Sequence, residues 1–180
     1  MKNIYRLKVL RNIIYSLEIF AAFILQVTPY MLPEVFGERA VVLVPLALSF
    51  SFYEKDIPSI AFASVCGLLT DCSYSGAVGF YAVALVISCY FVSNLFENCI
   101  FRTLLTVMMI SSVVIPVIFF VQFLLYYAAA GYDGIWFFLI RHYIPRMVYT
   151  LAFVPLLYKL NGFVYKKISN KRGGVRALWK

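Results

Sequence analysis

Charge-poor apolar stretches follow one another along the chain with short polar segments between them. The first covers about 12–32 and is interrupted by Glu18. Two short runs follow, 40–53 and 57–70, divided by Glu54, Lys55 and Asp56. The stretch Cys72–Phe96 supplies a fourth span that starts near Gly79, and a long fifth run covers 103–132. The last, 147–158, lies between Arg146 and Lys159, whose aliphatic stems can snorkel and lengthen it at both ends. A spanning helix takes about 20 residues, so a chain of this length allows roughly six spans joined by short loops. A 14-residue helix reaches only about 21 Å, short of a hydrocarbon core of about 30 Å. Either flanking residues extend the two short runs, or the 40–70 pair forms a re-entrant hairpin.

Composition removes the soluble alternative. Of 180 residues, 63% are hydrophobic and 13% charged, whereas soluble domains carry roughly 25% charged residues. A soluble core of this size could not hide so many apolar side chains, and the figures are the reverse of the disordered signature. The fold class predicted is all-α: a polytopic helical bundle in the membrane, with one integral membrane domain over 1–165 and a basic cytoplasmic tail over 166–180.

The net charge of +8 is a topology signal before it is a hint of an anionic partner. Lys2, Arg6, Lys8 and Arg11 precede the first apolar run, and Lys166, Lys167, Lys171, Arg172, Arg176 and Lys180 follow the last. With six crossings and the N-terminus inside, 13 lysines and arginines lie inside against three outside, Arg39, Arg141 and Arg146. Both termini are then cytoplasmic. Attraction to anionic lipid comes second, and nucleic acid is not expected as a partner. The basic flank and apolar run at the start mimic a signal peptide, but no small-x-small cleavage site follows, so an uncleaved anchor is expected. Cys66, Cys72, Cys89 and Cys99 show no ligand-like spacing, which argues against a disulfide or metal framework.

Helix breakers sit where membrane helices tolerate them. Pro116 is deep in the fifth run with Ser112 four residues earlier, where a hydroxyl can bond a freed carbonyl, and a kink is expected. Pro45 and Pro155 play comparable parts, and Pro58 fits the first turn of the third run. Tyr5, Tyr15, Tyr158 and Tyr165 bracket the inner ends and Tyr126, Tyr127, Tyr132 and Trp136 the outer ones, as interfacial aromatics do.

Ionisable residues inside the apolar runs are few. Gly67, Asp71 and Ser75 fall at four-residue spacing on one helix face, with small residues that permit close helix approach. Asp71 is expected at the outer end of the third span, level with Arg141, His142 and Arg146. Pairing with one of these arginines would relieve an otherwise costly acid; an interfacial helix cap, or a proton or substrate site, are the alternatives. Glu18, in the inner leaflet, has Lys159 and Arg102 at its level for a structural pair. Gln26 and Thr28 put hydrogen-bonding groups on the outer half of the first span, where they can join helices. His142, the lone histidine, reads as a polar anchor. No histidine pair, Ser/His/Asp set, glycine-rich phosphate loop or carboxylate cluster is present, so neither an enzyme nor a cofactor is expected.

The order of motifs resembles the rod shape-determining protein family MreD of bacteria. Leu25-Gln26-Val27-Thr28 stands in span one, Val44-Pro45-Leu46 in span two and Glu54 in a short loop. Gly67-Leu68-Leu69-Thr70-Asp71 then leads through a small-residue turn to Gly79-Phe80-Tyr81. The final helix enters through Ile144-Pro145-Arg146 and carries Tyr149-Thr150 and Pro155-Leu156-Leu157-Tyr158. The resemblance covers about 12–165, and its most specific part is the Gly-Leu-Leu-x-Asp segment with the glycine that follows; the basic tail 166–180 falls outside it. It implies a non-enzymatic, multi-pass subunit of the bacterial cell membrane that helps maintain rod shape within the machinery for lateral peptidoglycan synthesis. The nearest partner implied is MreC, a single-span protein, with MreB, RodA and a penicillin-binding transpeptidase in the wider complex. It also implies a fold like the six-helix substrate-binding subunits of energy-coupling-factor transporters. The positions expected to hold the bundle or couple it to a partner are Glu18, Gln26, Gly67, Asp71, Gly79, Arg141 and Arg146.

The alternative function is a solute-binding subunit of such a vitamin transporter, which shares size, span count and orientation. Those subunits resemble one another in an Ala-x-x-x-Ala patch on the first helix. Here Ala21 is followed four residues on by Leu25, and Ala22 by Gln26.

Overall fold

A computed structural model describes residues 2–29, 31–34, 37–53, 56–73, 79–98, 103–128, 137 and 139–177. Among them the chain forms six α-helices and no β-strand: α1 (Lys2–Val27), α2 (Leu43–Tyr53), α3 (Asp56–Ser73), α4 (Phe80–Asn98), α5 (Leu104–Phe123) and α6 (Ile144–Ala177). A π-helical turn extends α5 over Leu124–Ala128, and a second, Leu139–Tyr143, leads into α6. Arg141 and His142 therefore lie on a widened turn rather than on a regular helix.

Local chemistry sets most of these limits. Pro29 cannot continue α1 and disfavours helix in the residue before it, so the helix stops at Val27 rather than near 32. Pro58 sits in the first turn of α3, where its missing N–H is not needed. Thr103 caps α5, its hydroxyl accepting the Thr106 N–H at 3.4 Å. Pro116 lies inside α5, but the Ser112 hydroxyl makes no hydrogen bond to the freed carbonyl; it is on the exposed side of the helix. The last apolar run and the basic segment after it, as far as Ala177, form one continuous helix of 34 residues.

Consecutive helices run in alternating directions. Tyr15 near the middle of α1 meets Phe50 of α2 at 4.8 Å and Phe62 of α3 at 5.5 Å between ring centroids. Gly67 of α3 faces Ala82 of α4, Tyr81 of α4 reaches Gln122 of α5, and Phe123 of α5 packs on Tyr143 just before α6. Tyr53, at the end of α2, stacks on Tyr158 and Tyr165 of α6. The start of α1 and the far part of α6 thus lie at one end of the bundle, and Asp71, Gly79, Gln122 and Tyr143 gather at the other.

Three helical stretches, Val9–Val27, Leu104–Tyr126 and Leu139–Lys167, are long and apolar enough to cross a membrane. The apolar parts of the other helices, Leu43–Tyr53, Ile57–Ser73 and Phe80–Leu95, are shorter. The outer surface is apolar as well: Leu17, Phe20, Leu105, Met109, Val148 and Phe163 are each more than three-fifths exposed. Large apolar side chains all round the exterior are compatible with lipid as the solvent and foreign to a water-soluble monomer.

The shortest helix occupies the centre. α2 has 11 residues, ten of them buried, which at 1.5 Å per residue is about 16 Å of helix. It touches all five other helices. The 40–53 run therefore does not begin as a helix at residue 40: Ala40, Val41 and Val42 are fully buried but non-helical. Pro45 explains the break. A proline ring clashes with the carbonyl four residues back and donates nothing to it, so a helix containing Val41 is disfavoured. Instead the Val44 N–H takes the Val41 carbonyl at 3.2 Å, and the Leu46 N–H that of Val42 at 3.2 Å.

Candidate functional site

Buried backbone N–H groups need partners, and the break before α2 finds them on two other helices. The Leu43 N–H donates to Gln26 Oε1 of α1 at 3.2 Å, and the Val41 N–H donates to Thr150 Oγ1 of α6 at 3.2 Å. Gln26 is buried and its Nε2 has no hydrogen-bond partner. The predicted role of Gln26 as a helix-joining group thus takes a specific form: it caps α2 from α1. Thr28, expected beside it, only continues the end of α1 through its own N–H to Ile24.

The C-terminal half of α2 is held by hydroxyl and amide groups. Asn161 of α6 donates to Ser49 Oγ at 2.6 Å, and Ser59 of α3 donates to Ser51 Oγ at 3.0 Å. Tyr53 donates its hydroxyl to the Tyr158 carbonyl at 3.2 Å, in space that Gly162 leaves open. None of Ser49, Ser59 or Asn161 was singled out by the sequence, because a serine in an apolar run looks alike whether it faces a helix or lipid.

The strongest site joins α3 to α4. Asp71 is buried, and its carboxylate accepts three backbone N–H groups: Gly79 at 3.0 Å, Tyr81 at 3.0 Å and Ala82 at 3.1 Å. These amides belong to the N-terminal turn of α4, where unpaired donors and the positive end of the helix dipole both favour an anion. The expected pairing of Asp71 with Arg141 or Arg146 is therefore corrected. Among the described residues no arginine is bonded to it, and the amide cradle satisfies the carboxylate instead. The alternative, a helix cap, describes the contact, with the difference that the cap is buried and comes from the preceding helix.

Two glycines make this geometry possible. A Cβ on Gly67 would run into Ala82 Cα and lie 2.6 Å from Ala82 N, so the backbones of α3 and α4 touch there. Gly79 adopts φ +110°, a conformation that side-chain-bearing residues rarely take, as its N–H turns to Asp71. Gly67 and Asp71 stand one helical turn apart, so one face of α3 both admits α4 and caps it. Ser75, the third position of the small-residue pattern, lies outside the described residues. Beyond the cap, Tyr81 donates its hydroxyl to Gln122 Oε1 of α5 at 2.6 Å and ties the unit to a third helix.

The basic residues expected near Asp71 have other neighbours. Arg141 is exposed, its guanidinium 5.6 Å from the Phe137 ring centroid; Arg146 is half-buried, 5.6 Å from that of Phe119. His142 is more than a lone anchor, because its Nδ1 lies 2.8 Å from Glu38 Oε1. Glu34 and Arg39 form a second pair at 2.7 Å in the same connection. Glu18 is half-buried on α1 and makes no pair with Lys159, and Arg102 lies outside the described residues.

Cys66, Cys72 and Cys89 are free thiols, and Cys99 lies outside the described residues. Among the described residues no three His, Cys, Asp or Glu side chains come together as metal ligands would. The arrangement fixes α3, α4 and α5 at one end and seats α2 between α1 and α6. Comparison with known proteins returned no match, whether to a family model, a curated protein or a solved structure.

Proposed function

We propose that this protein is a non-enzymatic membrane scaffold of the MreD kind, with all six helices crossing the cell membrane of a bacterium and both termini in the cytoplasm. In this reading it binds MreC and helps organise lateral peptidoglycan synthesis, with MreB, RodA and a penicillin-binding transpeptidase in the wider complex. One observation carries the proposal. Gly67, Asp71 and Gly79, the residues in the most specific part of the resemblance, make one physical unit with Tyr81 rather than scattered features. The charge asymmetry along the sequence and the apolar exterior support the membrane part of the reading.

Mechanistically, a rigid bundle serves a partner by presenting a fixed helix face. In lipid, helices associate through close packing and a few interhelical hydrogen bonds rather than through the hydrophobic effect. The Asp71 clamp and the capped centre of α2 supply rigidity, and the exposed apolar faces supply contact surface.

Co-purification with tagged MreC from the same cell, in mild detergent, tests the reading. A stable complex is expected, and it should weaken when Gly67 is enlarged. No complex, together with tight retention of a small metabolite, would favour the transporter subunit instead.

A further inference from the structure

Glu18 has an arrangement that the bundle itself does not explain. It lies in the apolar stretch Val9–Val27 of α1, on the flank between the buried positions Tyr15, Ile19 and Ala22 and the exposed positions Leu17, Ala21 and Ile24. Glu18 is half-buried: its Oε2 is enclosed by neighbouring atoms without a hydrogen-bond partner, which leaves the other carboxylate oxygen as the one that a group outside the bundle can reach. Every other acidic side chain described so far is matched: Asp71 by amides, Glu38 by His142 and Glu34 by Arg39. Glu18 stands seven residues beyond Arg11, about 10 Å deeper along the helix. An acid at such depth is costly unless a cation or donor meets it.

We infer that the Glu18 flank of α1 is the docking face for a partner's transmembrane helix that carries a lysine or arginine at the same depth. The inference rests on the reading of the chain as a membrane scaffold with a single-span partner. Three features fit that occupant. A basic side chain complements the carboxylate, and in low dielectric the pair is screened little by salt. Ala21, one turn further along the same flank, is small and exposed and allows the close backbone approach that helix pairs in lipid use. A second copy of this chain fits poorly, because a symmetric contact there would bring two Glu18 carboxylates together.

The test is photo-crosslinking in membranes that also contain tagged MreC. A crosslinker replaces Ala21, or, as a remote exposed position on α5, Met109. Capture of MreC through position 21 and not through 109 is expected. Glu18→Gln should lower that yield at least fivefold and Glu18→Asp less than twofold, with the detergent elution profile of each variant unchanged. Exchanging the charges, Glu18→Lys with a glutamate at the partner's basic position, should restore capture. The inference is overturned if Glu18→Gln leaves capture within twofold, if MreC is captured only through 109, or if position 21 crosslinks to a second copy. Failure to capture or co-purify MreC at all removes the functional reading on which the inference rests.

Discussion

Asp71 and Tyr81 are joined across a helix–helix turn: the carboxylate Oδ1 accepts the Tyr81 N–H at 3.0 Å. The same tyrosine sends its hydroxyl to Gln122 on the next helix, so one residue receives the end of α3 and passes the connection to α5. Bonds from amides to a charged acceptor are stronger than neutral ones, and burial keeps water from competing. Asp71→Ala leaves the first turn of α4 without its acceptor and should cost about 2 kcal/mol, within the range for lost N-caps and charged hydrogen bonds. Asp71→Asn keeps one acceptor oxygen and should recover roughly half of that cost. Unfolding in detergent micelles measures both, and an unchanged midpoint for Asp71→Ala would remove the clamp from the description.

Tyr81→Phe isolates the outer bond of the chain. Removing the hydroxyl that reaches Gln122 at 2.6 Å should cost about 1 kcal/mol, typical of an interhelical hydrogen bond in membrane proteins. Asp71 is bonded directly to the Tyr81 backbone, so the double variant should depart from the sum of the two losses, as residues of one hydrogen-bond network do.

Two glycines predict opposite outcomes for the same substitution. At Gly67 an added Cβ runs into the Ala82 backbone, which cannot move without separating α3 from α4. At Gly162 it meets the hydroxyl end of Tyr53, a side chain that can rotate away. Gly67→Ala should therefore cost at least about 3 kcal/mol, at the upper end of overpacking penalties, and Gly162→Ala about 1 kcal/mol. Expression yield and thermal midpoint of the two purified variants rank them, and equal losses would contradict the contact geometry.

The two caps of α2 differ in what their removal leaves behind. Thr150→Val strands the buried Val41 N–H and should cost about 1–3 kcal/mol. Gln26→Met strands the Leu43 N–H but also removes an amide nitrogen that has no partner, so it should cost less than Thr150→Val. Denaturant titration of both variants in the same detergent gives the order; the reverse order would mean that Gln26 Nε2 is satisfied in the membrane.

Much of this organisation was legible in the chain, and the exceptions have a common cause. The apolar runs and Pro58 mark helix limits, and Gly67 with Asp71 marks one face of α3, whereas the stop that Pro29 sets to α1 was not read. The partner of Asp71 was misread because backbone amides carry no label in the sequence, whereas arginines at a similar depth do. The centrality of α2 was hidden because a helix surrounded by protein and one surrounded by lipid have the same apolar composition. Its short length and Pro45 were the available signals. The bond between Glu38 and His142 spans 104 positions of chain, beyond the reach of local spacing.

Depletion from a rod-shaped cell that carries this protein tests the proposed role most directly. Cells should widen and round as the protein is lost, and wild-type protein or Gly162→Ala should restore rods where Gly67→Ala does not. Depleted cells that keep their width and their rod shape would contradict a role in lateral wall growth.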